Sequence, residues 1–176
     1  VRLCLCALFA GGICRGISDK VNGMDPASQN DILYRPFTEA DIPAARGLMR
    51  KGYEFVAQQE GFTPEQIDGA MAGRHSEEAW RDYIGTHQHL GAWLGDRLVA
   101  LGVMREDEGR FLYVDPEMHS RGIGRGMMQW AFDRIRENGY ARVRITAWPS
   151  GIPYYLRHGF ELTGEEVVPE GPMAGK

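Results

Sequence analysis

Cysteine is confined to one end of this 176-residue chain: Cys4, Cys6 and Cys14 stand in the first fourteen residues and none follows. The remainder therefore holds no cysteine nucleophile, thiolate zinc site or internal disulfide. No apolar run approaches the roughly 20 residues that a membrane-crossing helix needs. A surplus of positive charge is also missing. Lys and Arg number 20 against 24 Asp and Glu, a formal charge of −4, which argues against nonspecific nucleic-acid binding. His87 and His89 would share a strand face, but no carboxylate or third histidine stands at ligand spacing, so no metal site is expected. His75 and His158 read as surface or helix-end residues. What is present, 43% hydrophobic and 25% charged residues, is the mix of a soluble globular protein. A chain of this length forms one domain that buries about two thirds of its unfolded surface, with no need of a disulfide or metal.

The first 23 residues differ from the rest. Leu3 to Cys14 is a short apolar block behind Arg2, with Arg15 and Lys20 against a single Asp19. The segment reads as an extra or disordered tail, with the body running from Met24 to Lys176. A targeting segment and a structured part of the domain are the alternatives. The body is accordingly more acidic than the chain as a whole.

Within the body, residues 31–36 read as a strand, and Thr38 with Glu39 and Asp41 as a helix start. Ile42, Ala45, Leu48, Met49 and Phe55 give the helical face that follows. Thr63-Pro64-Glu65 opens a second helix and Ser76 a third. The period then changes. Residues 90–94 and 98–104 flank Gly95-Asp96-Arg97 as a hairpin, and 110–115 form a further strand. A helix to about Asn138 carries Met128, Ala131, Phe132 and Ile135 on one face. A strand at 141–148, a short helix at 151–158 and a last strand from Gly159 complete a mixed α/β sheet with one strand–helix–strand crossover.

The segment joining that crossover's first strand to its helix concentrates chemistry. Gly122, Gly124 and Gly126 let the backbone turn tightly and bring N–H groups to a ligand. The following helix adds its positive end, and Arg121 and Arg125 add charge. This suits a pyrophosphate. It is not the dinucleotide fingerprint, because Met127 stands where glycine is required. It is not the P-loop either, because Gly-Lys-Ser/Thr is absent.

In context the loop resembles that of the GCN5-related N-acetyltransferase (GNAT) family. After the turn Val114-Asp115-Pro116, His119-x-x-Gly122-x-Gly124 stands where the family reads Gln/Arg-x-x-Gly-x-Gly/Ala. Downstream, Gly151-Ile152-Pro153-Tyr154-Tyr155 followed by Gly159-Phe160 matches the family's Ala-x-Pro-Phe-Tyr and Gly-Phe spacing, with Gly for Ala. The resemblance covers about residues 31–165.

It implies the GNAT fold: a mixed, mostly antiparallel sheet with a central strand–helix–strand unit, splayed open between 110–115 and 141–148. It implies acetyl-CoA as co-substrate, held by Leu112, Tyr113, Val114, His119, Ser120, Arg121, Gly122, Ile123, Gly124, Arg125, Gly126 and Tyr154. Acyl transfer to a primary amine of a small molecule, amino acid or peptide follows, as does a cytoplasmic protein. A homodimer is left open. Tyr155 falls where the family often keeps the acid that protonates the departing thiolate, and a phenol with a pKa near 10 suits that task. Glu108 stands near the position of the base in histone-acetylating members, although a solvated hairpin acid is the plainer reading.

The acceptor side would be residues 52–90, where Tyr53, Phe55, Phe62, Trp80 and Tyr83 read as core. The acids Glu54, Glu60, Glu65, Asp68, Glu77, Glu78 and Asp82 in that region would suit a cationic amine. The other reading is a non-catalytic acyl-CoA sensor or regulatory module.

Overall fold

A computed structural model describes residues 2–8, 32–168 and 171–175. Seven strands form one sheet: β1 (Arg2–Leu8), β2 (Ile32–Arg35), β3 (Gln88–Leu94), β4 (Arg97–Arg105), β5 (Glu108–Val114), β6 (Arg142–Ala147) and β7 (Glu161–Glu166). Their order across the sheet is β2-β3-β4-β5-β6-β1-β7. Every pairing is antiparallel except β5 with β6. This is the mixed, mostly antiparallel sheet expected from the sequence.

Residues 2–8, set apart from the body on sequence grounds, instead lie inside the sheet. β1 pairs with β6 from Leu3↔Ala147 to Leu8↔Arg142 and with β7 on its other edge. The strand alternates. Leu5 and Ala7 are buried, and Leu3 packs on the same core cluster, so Arg2, Cys4 and Cys6 face the other side. The rest of the expected tail, residues 9–23, lies outside the described residues, as do residues 24–31 of the body.

Among the described residues five α-helices cover the two faces: α1 (Ile42–Glu60), α2 (Pro64–Ala72), α3 (Glu77–Thr86), α4 (Ile123–Glu137) and α5 (Ile152–Arg157). α1 follows a 3-10 turn in which the Asp41 carboxylate accepts from Thr38 N at 2.8 Å and from Arg35 at 2.7 Å. Met49, Tyr53, Ile67, Met71 and Trp80 from α1–α3 build one core cluster, against which Phe111 and Tyr113 of β5 pack. Met128, Phe132 and Ile135 of α4 build the other with Leu5, Val143 and Phe160. Among the described residues no helix is long and apolar enough to cross a membrane.

Gly52 is required where α1 crosses β5. A Cβ there would lie 1.9 Å from the Tyr113 ring, so only glycine lets the ring lie flush on the helix.

Candidate active site

The parallel pair β5–β6 is joined only at Glu108↔Arg144 and Gly109↔Ile145. Beyond that the strands part, while β5 stays paired to β4 as far as Val114. One edge of residues 110–114 thus faces open space. Unpaired strand edges offer N–H and C=O groups to any extended ligand. A cavity of about 600 Å³ occupies the opening. A smaller one of about 60 Å³, lined by Gly109, Leu112, Ile145 and Tyr155 among others, lies in the slot between the two strands.

The glycine loop closes one end of the large cavity. Ser120 (φ 64°) and Gly122 (φ 77°) are both left-handed, a conformation that costs a non-glycine residue about 1–2 kcal/mol. Gly122 is the N-cap of the fifteen-residue α4 and brings no side chain to it. The first N–H groups of that helix, on Ile123 and Gly124, are therefore left to a ligand. Gly124 also lets the loop approach α5, since a Cβ there would meet Tyr154 Oη at 2.9 Å. That hydroxyl is buried without a hydrogen-bond partner.

Asp115 anchors the start of the loop. It is 2% exposed and accepts from Lys51 of α1 at 2.7 Å, from Arg97 of β4, and from Glu117 N at 3.0 Å. Burial alone would raise its pKa, but these hydrogen bonds override burial and hold it below the usual value. Asp115→Ala should cost about 2 kcal/mol, the scale of hydrogen bonds to charged groups. A lower urea midpoint at unchanged m-value would show it.

The sequence-derived site residues separate clearly. Leu112, Tyr113, Val114, His119, Ser120, Gly122, Ile123, Gly124, Arg125, Tyr154 and Tyr155 all line the large cavity. His119 is held by a hydrogen bond of 3.1 Å to the Val114 carbonyl. Three residues need correction. Arg121 is exposed and outside the lining. Gly126 turns away from the cavity: a Cβ there would meet Tyr34 Oη at 2.6 Å, and its N–H already donates to Gly122 O. It is a packing glycine. Glu108 sits at the first position of β5, outside both cavity linings, with its carboxylate on Arg110 at 2.8 Å. The hairpin-acid reading of Glu108 is the one that the structure favours, because β5 and β6 are still paired at that position.

Tyr155 lines both cavities. Its ring packs edge-on against Phe160 and Tyr154, and burial pushes its pKa up to about 12. The group is thus a neutral phenol at every physiological pH.

Two features escaped sequence reasoning. His75 is 0% exposed rather than on the surface. Its Nε2 lies 3.3 Å from Tyr53 Oη, and burial lowers its pKa to about 3. Second, the acids of residues 52–90 point elsewhere. Among the described residues the lining of the large cavity contains no Asp or Glu, but five arginines: Arg2, Arg74, Arg110, Arg125 and Arg157. Helix periodicity alone could have signalled part of this, since a charged residue on an amphipathic helix belongs to the solvent face. No group of three or more His, Cys, Asp or Glu able to hold a metal occurs among the described residues.

A family model described as an acetyltransferase (GNAT) domain matches residues 58–173. No curated protein matches the chain. Solved structures do. The PaiA N-acetyltransferase from Thermoplasma acidophilum, in complex with coenzyme A, superposes with a TM-score of 0.71 at 18% identity, covering 77% of this chain and 92% of that one. A GCN5-related N-acetyltransferase from Rhodopseudomonas palustris gives 0.71 at 16% identity, over 79% and 89% of the two chains. An acetyltransferase from Clostridium acetobutylicum, solved with acetyl-CoA, gives 0.60 at 16% identity over 77% and 94%. At these identities the likeness is one of fold.

Proposed function

The chain belongs to the GNAT acetyltransferase family, and from that premise we propose that it transfers an acetyl group from acetyl-CoA to the nitrogen of an amine. One observation carries the reading. A single cavity joins a helix N-terminus in a glycine loop, an open strand edge and a buried phenol.

The residues suit acetyl-CoA. The N–H groups of Ile123 and Gly124 would hold the pyrophosphate, at the end of the cavity that Arg125 also lines. The open edge of Leu112, Tyr113 and Val114 would pair with the amides of the pantetheine arm. Tyr154 offers its unpartnered hydroxyl beside the loop. Bound there, acetyl-CoA supplies the acetyl thioester that the amine attacks.

Tyr155 keeps its proton at the phenol oxygen and gives it to the sulfur that leaves. Tyr53 and Trp148 line the cavity on the α1–α3 side and would wall the space around the acceptor. No carboxylate of the described residues lines that space, so an ammonium acceptor yields its extra proton to water, and the proton that the nitrogen loses as the amide forms returns through water to the Tyr155 oxygen. The same absence is what favours the second reading, a module that binds acyl-CoA without turnover. Thiol release in the presence of amines separates the two.

Calorimetric titration of the full chain with acetyl-CoA, with NAD as control, tests binding directly. Micromolar affinity for acetyl-CoA alone is expected. Gly124→Val should weaken it by at least about tenfold, because its side chain would meet the Tyr154 hydroxyl. A folded chain that binds neither ligand overturns the reading.

A further inference from the structure

We propose that the acceptor amine carries a carboxylate, held by Arg74 and Arg2 at the end of the cavity away from the glycine loop. The proposal rests on the acetyltransferase reading above and names its substrate class.

Arg74, between α2 and α3, lies over the Phe111 ring at 5.0 Å. Phe111 precedes Val114 by three residues, about 10 Å along the strand. It packs on the face of β5 covered by α1–α3, whereas the glycine loop leads into α4 on the opposite face. Arg2 reaches the same end from β1, with its guanidinium over Trp148 at 4.9 Å. Both residues line the cavity. Aromatic faces brace them, yet neither has a carboxylate within 4 Å among the described residues, in contrast to Arg110, which holds Glu108 at 2.8 Å. The Nε of Arg2 is buried with no hydrogen-bond partner.

Two cations facing one space without an anion repel one another. Burial depresses Arg2's pKa, and the Arg74 charge depresses it further; Arg110 acts in the same sense and Glu166, from the paired strand β7, against it. A planar guanidinium fork is the natural partner of a carboxylate, which it binds bidentately. A bound amino carboxylate would relieve the repulsion and satisfy the idle donors, while its amine points back toward Tyr155. A polycationic acceptor would meet only like charge.

The test uses the full chain with acetyl-CoA, after its binding has been measured. Initial rates of thiol release are compared for free amino acids against their α-amides, for glutamate and aspartate against glutamine and asparagine, and for spermidine. At least one acid should exceed its matched amide about 10- to 100-fold in kcat/KM. Arg74→Gln should raise KM for that acid at least about tenfold with little change in kcat. Arg74→Lys should recover part of the loss, because it keeps the charge but not the fork. Acetyl-CoA affinity should stay the same in both variants, which also reports that they fold. Equal or better turnover of amides or spermidine overturns the proposal. So does a chain that binds acetyl-CoA and acetylates no acid of the panel. A chain that fails to bind acetyl-CoA overturns both this proposal and the reading beneath it.

Discussion

Replacing Tyr155 by Phe is expected to lower kcat by about 10²- to 10³-fold while leaving the acetyl-CoA dissociation constant within a factor of two or three. The expected range is that of a positioned general acid. The substitution removes one oxygen from a ring held by Phe160 and Tyr154, so the packing survives. The pH profile adds a second readout. The phenol's pKa stands at about 12, so the native enzyme should show no loss of rate from Tyr155 below about pH 10. The variant's curve should lie lower without changing shape in that range. Steady-state kinetics from pH 6 to 10 with a calorimetric titration at one pH decides it. An unchanged kcat removes Tyr155 from the chemistry and leaves it as a core aromatic.

The other large effect is on acid stability, and His75 should dominate its onset. The ring is fully buried and its pKa is lowered to about 3 from 6.5, by burial first and by the Arg74 charge second. Between those values the unfolded chain binds a proton that the native chain does not. Stability therefore falls as pH falls below 6.5, by up to about 1.4 kcal/mol per pH unit. From pH 7 to 5 the loss from this residue should be about 2 kcal/mol. His87 and His89 are lowered too, each by burial first, and add in the same direction. Asp41 and Asp115 are held low by hydrogen bonds to Arg35 and to Lys51 and Arg97, so their contributions vanish only below about pH 4. Urea midpoints at pH 7 and pH 5 should draw together in His75→Gln. Parallel pH dependence in the two proteins would show that His75 takes up its proton without unfolding.

The glycine loop was legible because its chemistry is local. Tight turns need glycine, and a helix N-terminus follows them wherever the strand–helix order holds. That is why residues 112–114, 119–120 and 122–125, chosen from the sequence, all line the one cavity. Gly126 was misassigned for a non-local reason: its neighbour is Tyr34, more than ninety residues earlier in the chain. Glu108 was judged by its distance in sequence from the loop, but whether a strand residue faces the opening depends on where β6 leaves β5.

Alternation, turn residues and helix periodicity by themselves determined the order of elements from β2 to β7 and the crossover around α4, while the resemblance to the family rested on two local motifs, at residues 114–124 and 151–160. Each of these depends on neighbours a few residues apart. Only the tertiary structure decided that Arg2–Leu8 is an interior strand: its hydrogen bonds go to residues 142–147 and 161–166, far along the chain, and a seven-residue apolar block carries no mark of such partners. It also decided that most acids of α1–α3 face solvent, with Glu60 accepting from Ser150 N instead, while Arg2 and Arg74, some seventy residues apart, line one cavity. The charge of a site is set by which side chains the fold brings together, and a chain of net negative charge has lined this cavity with five arginines and no acid among the described residues.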